Sequence, residues 1–121
     1  MKLRAVIVDD NENNLILEKD LLELAGFEVM VAENATVGIA LVRDFHPDII
    51  IMDMRLPDMR GSEAAKILFL DAATSSIPVV FVTASVMAEG RSEISAIPNA
   101  GFIGKPINTR TFALEIAEFL K

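Results

Sequence analysis

The chain has 121 residues, a length that suits one domain with one hydrophobic core and is too short for two ordinary domains. Its formal net charge of -7 opposes direct binding to nucleic acids or anionic membranes, because those partners attract clustered Lys and Arg. The sequence has no Cys, and it shows no signal peptide and no apolar run long enough to span a membrane. We therefore expect a soluble, cytoplasmic protein.

Short apolar runs alternate with segments of helical length and periodicity along the chain. Strands are predicted near residues 3–8, 28–32, 48–52, 78–82 and 100–104. Gly26 follows the first helical segment, and Gly61 opens the third after a loop. Pro47 and Pro78 precede the third and fourth strands. Strands that alternate with helices imply βα units around a parallel sheet, so the predicted fold class is α/β.

The first helix, predicted over residues 12–25, has one charged residue on its apolar side and one apolar residue on its charged side. Its apolar residues share one arc of a helical wheel: Leu17, Leu21, Leu22 and Ala25. Glu18 lies within that arc, whereas Ile16 points among charged side chains. We expect Ile16 to be exposed, either as an isolated surface residue or as a contact for a partner protein.

The sequence also indicates the extent of the last two helices. Gly90 interrupts the fourth helix, and a glycine there costs about 1 kcal/mol relative to alanine. Pro98 ends whatever helix precedes it, so we expect the fourth helix to be short or mobile. The fifth helix is predicted over residues 109–120.

Polar side chains follow four of the five predicted strands. Asp9 and Asp10 end the first strand, and Asp53 ends the third. Thr83 ends the fourth strand, and Lys105 ends the fifth. The carboxyl ends of parallel strands meet at one edge of a sheet, where ligands bind. We therefore expect these carboxylates, the hydroxyl and the ammonium to converge.

The negative charges of the predicted cluster indicate which ligands it could bind. Two carboxylates about 4 Å apart repel by about 4 kcal/mol in an effective dielectric of about 20, so a positive charge must compensate them. An oxygen-only cluster suits Mg²⁺, and Lys105 adds a further positive charge. A hydroxyl beside them is well placed to hold the oxygens of a phosphoryl group. Since a carboxylate can accept a phosphoryl group covalently, the cluster predicts an acyl phosphate on Asp53.

Four motifs, in strand order, make the sequence resemble a response-regulator receiver domain of two-component signalling. They are "VDDNENN" after the first strand, "MDMRLPDMRG" around the acceptor, "VT" followed by a small residue at the fourth strand, and "KP" after the fifth. The resemblance covers essentially the whole chain. It implies a single receiver domain over residues 1–121 with a flavodoxin-like, doubly wound (βα)5 sandwich and a five-stranded parallel sheet of order 2-1-3-4-5.

The resemblance also implies roles for the residues that carry it. Asp53 resembles the phosphorylated aspartate of the family. Asp10 and Asp53, together with the backbone carbonyl of Arg55, resemble the Mg²⁺ ligands, and Asp9 resembles the acidic residue that acts through water.

Four further positions match the switching apparatus of such domains. Thr83 resembles the hydroxyl that moves to bond the phosphoryl group, and Lys105 resembles the family's cation. Phe102 occupies the position of the aromatic rotamer switch. The peptide bond before Pro106 is expected to be cis, an isomer that X-Pro bonds permit at modest cost.

The acceptor motif departs from the usual family pattern. Leu56 stands where Met is common, and Arg60 replaces the Asp before the glycine. Arg55 and Ser85 occupy the positions that tune hydrolysis of the acyl phosphate in the family. The phosphoryl lifetime therefore stays open at this stage.

The function that the resemblance implies is a phosphorylation-controlled switch rather than a classical enzyme. A histidine kinase or a histidine phosphotransfer protein would phosphorylate Asp53 in a Mg²⁺-dependent reaction. The altered conformation would then control a downstream protein or an output domain, and the resemblance also allows a homodimer.

Other interpretations stay open. One is a Mg²⁺-dependent phosphohydrolase of similar acidic layout, which would need a general acid where Arg55 stands. Another is a receiver used as a phosphorylation-independent binding module. The chain is either a complete single-domain regulator or the receiver portion of a longer protein.

Overall fold

Five strands alternate with five helices in the computed structural model, which describes residues 2–84 and 88–120. The strands are β1 (Arg4–Val8), β2 (Glu28–Ala32), β3 (Ile49–Met52), β4 (Val79–Thr83) and β5 (Ala100–Gly104). The helices are α1 (Glu12–Leu24), α2 (Ala35–Phe45), α3 (Gly61–Leu70), α4 (Ala88–Ser95) and α5 (Phe112–Glu118).

The strands form one parallel sheet in the order β2-β1-β3-β4-β5, which confirms the predicted fold. The runs "IIIM" of β3 and "VVFVT" of β4 are buried along their whole length. Continuous apolar runs of this kind are typical of parallel strands that helices cover on both faces. The central strands thus hold their carboxyl ends rigidly at one edge of the sheet.

Two apolar cores lie on opposite faces of the sheet. Because successive side chains of a strand point to opposite faces, Val6 and Val8 join one core while Ala5 and Ile7 join the other. Buried side chains of α2, α3 and α4 cover the first face, and those of α1 and α5 cover the second. The sandwich is therefore doubly wound.

The predicted apolar arc of α1 was wrong in part. The residues that α1 buries are Leu15, Glu18 and Leu22. These are spaced by three and four residues, and packing around Leu15 turns Leu17 away from the sheet, so that Leu17 is 40% exposed. Ala25 is exposed as well. The predicted exposure of Ile16 is confirmed, at 52%.

The last two helices are both short. The α4 helix has eight residues and ends at Ser95, before Pro98, so the predicted short helix is confirmed. The predicted interruption at Gly90 was wrong, because Gly90 lies within this helix. The α5 helix begins at Phe112, three residues later than expected. The intervening residues form a turn in which the Asn108 carbonyl accepts hydrogen bonds from the backbone N–H of Thr111 and of Phe112. Among the described residues, the longest helix is α1 with 13 residues, and no helix there is long and apolar enough to cross a bilayer.

Candidate functional site

The sheet places the predicted polar residues at its carboxyl edge through its own hydrogen bonds. The N–H of Asp9 donates to the carbonyl of Ala32, and the N–H of Asp53 donates to that of Val8, each at 3.0 Å. The N–H of Lys105 donates to the carbonyl of Thr83, also at 3.0 Å. Each bond extends the ladder just beyond a strand, so the three residues are fixed to a rigid frame rather than to free loops.

Three carboxylates converge at this edge, as the sequence predicted. One oxygen from each of Asp9, Asp10 and Asp53 lies within 4.8 Å of the others. Asp9 is buried, Asp53 is partly buried and Asp10 is exposed. An oxygen-only donor set that opens to solvent on one side fits Mg²⁺, which keeps several of its waters when a protein binds it.

Asp9 is held in place by three donors. The backbone N–H of Asn11 donates to its Oδ1 at 2.9 Å, and the side-chain amide of Asn14 donates to its Oδ2 at 3.4 Å. The third donor is the ammonium of Lys105. Neither asparagine was predicted to belong to the site. The sequence signal for them was their position just after Asp9 at the start of α1. There Asn11 caps the helix by accepting a hydrogen bond from the N–H of Asn14.

Lys105 bridges two of the carboxylates. Its Nζ lies 3.1 Å from Oδ2 of Asp53 and 3.2 Å from Oδ2 of Asp9, and its side chain is only 20% exposed. Burial lowers the pKa of the ammonium, but the hydrogen bonds and negative charges of Asp53 and Asp9 outweigh it and raise the pKa above its ordinary value. The group is therefore a fixed positive charge beside Asp53.

The predicted switch residues lie on the two neighbouring strands. Thr83 ends β4 and is buried. Phe102 lies on β5 beside Phe81 in the parallel register, and it is 38% exposed. The peptide bond between Lys105 and Pro106 is cis. The sheet thus brings Thr83 to the edge that holds the carboxylates, while Phe102 lies part of a strand away.

The loop after β3 contacts the Asp53 carboxylate through its backbone. The N–H of Arg55 donates to Oδ1 of Asp53 at 3.2 Å, and the Arg55 side chain is exposed. A Cβ at position 61 would clash with the backbone carbonyl oxygen of Asp53, so this close return of the chain requires Gly61. Ser85, the other position expected to tune hydrolysis, lies outside the described residues.

The same loop is tied to two helices by charged groups. Asp58 accepts hydrogen bonds from the Thr36 hydroxyl and from the N–H groups of Ala35 and Thr36, which lower its pKa to about 2. Arg60 pairs with Glu93 of α4 through contacts of 2.8 and 2.9 Å. The departure from the usual acidic residue at position 60 thus creates a link between the loop after β3 and α4.

A fourth carboxylate lies close to the site, although the motifs did not predict it as part of the site. Glu18 of α1 is 2% exposed. Burial raises its pKa to about 7, and the negative charges of Asp9 and Asp53 add to this effect while Lys105 opposes it. Its position within the apolar arc of the first helix was the signal in the sequence.

Comparisons with known proteins agree with this geometry. The family model described as "Response regulator receiver domain" matches residues 5–117. The polar-differentiation response regulators DivK of Brucella ovis and of Brucella anthropi are each 36% identical over 120 residues, covering 99% of this chain and 98% of theirs.

Solved structures show the same similarity. The chemotaxis response regulator CheY4 of Vibrio cholerae superposes with a TM-score of 0.93 at 25% identity, covering 99% of this chain and 100% of that chain. A CheY-like receiver domain protein of Methanospirillum hungatei gives 0.91 at 28% identity, with 99% and 94% covered. These matches are to signalling domains rather than to a classical enzyme family. With its acidic cluster at the phosphoacceptor position, the chain belongs to the response regulator receiver domain family of two-component signalling.

Proposed function

We propose that Asp53 is the residue that accepts the phosphoryl group. The observation that carries this proposal is the meeting of three strand-end carboxylates within 4.8 Å with one ammonium that bridges two of them. Of the three, Asp53 is partly open to solvent and also contacts Lys105, whereas Asp9 is buried. An incoming phosphoryl group would therefore reach Asp53 beside a fixed positive charge.

The residues that would hold Mg²⁺ are Asp10 and Asp53, together with the backbone carbonyl of Arg55. Asp9, whose oxygens already accept three hydrogen bonds, acts through water. The ion supplies positive charge that offsets both the carboxylates and the phosphoryl oxygens. Hard oxygen ligands and no soft ones support this choice of ion.

The phosphoryl transfer exchanges a P–N bond of the donor for a P–O bond to Asp53. A carboxylate oxygen of Asp53 attacks the phosphorus of a phosphohistidine, the P–O bond forms, and the P–N bond breaks so that imidazole leaves. Lys105 stabilises the charge on the transferring oxygens because its ammonium is already held at 3.1 Å from Asp53. The donor is a histidine kinase or a histidine phosphotransfer protein in the cytoplasm.

Phosphorylation then changes the conformation of the domain. The added charge of roughly -1.5 to -2, by analogy with other phosphorylated side chains, attracts the Thr83 hydroxyl. Phe102 then turns inward into the space that Thr83 leaves. Inverting a 1:99 population to 99:1 requires about 5.5 kcal/mol of differential interaction. An ammonium-phosphoryl pair, one hydroxyl bond and an aromatic repacking together approach that value.

The output of the switch is a contact with another protein or with an output domain. The chain spans a single receiver domain over residues 1–121, and the α4-β5-α5 face, which includes Phe102, carries the changed surface. Arg60 and Glu93 connect the acceptor loop to α4, which supports a response of that helix to Asp53.

The direct test is intact mass spectrometry after incubation with acetyl phosphate, with Mg²⁺ in one sample and with a chelator in the other. We expect a gain of one phosphoryl mass that depends on Mg²⁺. No gain with either acetyl phosphate or phosphorylated histidine phosphotransfer proteins would contradict the proposal and favour a receiver that binds its partner without phosphorylation.

Lys105→Met is expected to slow phosphorylation by acetyl phosphate by about 100-fold, because removal of one preorganised charge at a reacting oxygen has that effect in other enzymes. The measurement is the initial rate of mass gain at saturating Mg²⁺. Lys66→Met removes an exposed lysine of α3 and serves as the matched control. Equal rates for the two variants would mean that the Lys105 ammonium does not act on the phosphoryl group.

Ile16→Asp is expected to slow phosphotransfer from a histidine phosphotransfer protein by about tenfold or more while leaving the acetyl phosphate rate unchanged. The physical reason is that Ile16 is an exposed apolar residue on the helix beside the acidic cluster, where a phosphodonor protein must approach. Ile67→Asp, at a residue of similar exposure on α3, is the control. If both variants react with the protein donor as fast as wild type, Ile16 is not part of the docking surface.

A further inference from the structure

A pocket of about 360 Å³ opens beside the acidic cluster, between α1 and the segment that follows β5. Its apolar lining comes from Leu17, Ala84, Pro106 and Ile107. Lys105 also lines it, but the ammonium of that residue is directed to Asp9 and Asp53. The volume falls within the range of small-molecule sites in proteins.

Besides Lys105, the polar residues that line the pocket are Asn14 and Glu18, and both offer hydrogen-bond acceptors. The Glu18 carboxylate lines the pocket, yet no hydrogen bond or ion pair to it is present among the described residues. Asn14 also lines the pocket and uses its amide nitrogen on Asp9, and no described residue donates to its amide oxygen. One carboxylate and one amide oxygen therefore face an apolar space.

Glu18 is only 2% exposed, and ionising a carboxyl group in such surroundings is costly, so its ionised form favours a positively charged donor. The charge of Lys105 favours the ionised form of Glu18, but the Lys105 ammonium donates to Asp9 and Asp53. A fully hydrated metal ion fits poorly, since most of the pocket wall is apolar. A ligand with a cationic nitrogen group and a short apolar body matches both parts of the lining.

We propose that this pocket binds a small organic cation of the alkylammonium or alkylguanidinium class. The charged group pairs with Glu18 and donates to the amide oxygen of Asn14, and the alkyl body packs between Leu17 and Ile107. The net charge of -7 favours the approach of such a ligand. This pocket adjoins the phosphoryl site and shares Asn14 and Lys105 with it, but the ligand's charged group pairs with Glu18 rather than with Asp53.

The test is a titration with n-butylguanidinium, followed by backbone amide NMR at about pH 8, where the Glu18 carboxyl is ionised. Saturating Mg²⁺ is present so that the acidic cluster does not compete. We expect saturable shifts at Leu17, Ala84 and Ile107. The neutral isostere N-butylurea should bind about tenfold more weakly, since it lacks the charge-assisted bond.

Two variants complete the experiment. Glu18→Gln removes the charge within the same shape and should weaken butylguanidinium binding about tenfold, whereas Asp44→Asn removes a charge on the opposite face and should leave it unchanged. Leu17→Trp, at a half-exposed position that tolerates size, should block the pocket even if Glu18→Gln does not fold. Equal binding of the urea and the guanidinium, shifts confined to Asp10 and Asp53, or binding unaffected by these changes at Glu18 and Leu17 would overturn the proposal.

Discussion

Asp53→Asn is expected to abolish the gain of one phosphoryl mass that wild type shows with acetyl phosphate and Mg²⁺. An amide lacks the anionic oxygen that must attack phosphorus, and the other carboxylates cannot substitute for it. Asp9 is buried and its oxygens accept three hydrogen bonds, and Asp10 makes no described contact with Lys105. The measurement is intact mass after the same incubation for both proteins.

Asp44→Asn is the matched control for this experiment, because Asp44 is an exposed aspartate of α2 on the other face of the sheet. It should gain the phosphoryl mass as wild type does. A full gain in Asp53→Asn would place the acceptor elsewhere, and proteolytic mapping would then show which carboxylate had reacted. A gain in wild type and in Asp44→Asn alone would assign the reaction to Asp53.

The convergence of the site residues was predictable because it follows from sheet topology alone. Each of Asp9, Asp53 and Lys105 comes directly after an apolar run, and parallel strands deliver such residues to one edge. No side-chain geometry was needed for that step. The strand bounds were predicted to within one residue, most simply for β3 and β4, whose buried apolar runs end at polar residues or at a proline.

The features that the sequence did not predict depend on how the helices pack on the sheet rather than on the order of apolar and polar residues. The buried stripe of α1 depends on the rotation of the helix about its axis, and placing Leu17 inward instead of Leu15 was an error of that rotation. Arg60 pairs with Glu93 although the two residues are far apart in the sequence, so no local spacing could predict the pair. Both required the three-dimensional arrangement of the helices on the sheet.

Glu18→Gln is expected to make the domain more stable at about pH 8 and to remove most of the pH dependence of its stability between about pH 5 and 7, in the absence of Mg²⁺. Burial, reinforced by Asp9 and Asp53 and opposed by Lys105, raises the Glu18 pKa from 4.5 to about 7. The folded state therefore binds more protons than the unfolded state in that interval, so stability falls as the pH rises through it. A rise of this size in the Glu18 pKa corresponds to a loss of about 3 kcal/mol in the free energy of unfolding when the carboxyl ionises.

The measurement is urea unfolding of wild type and Glu18→Gln at several pH values from about 5 to about 8, with chelator present. Wild type should lose roughly 3 kcal/mol of unfolding free energy across the range, and Glu18→Gln should lose much less. Glu23→Gln alters an exposed glutamate of the same helix whose surface ion pair with Lys19 contributes little, so it should keep the wild-type slope. Identical slopes for wild type and Glu18→Gln would mean that Glu18 is ionised in the folded protein throughout the range, and its burial would then need a positively charged partner even without a bound ligand.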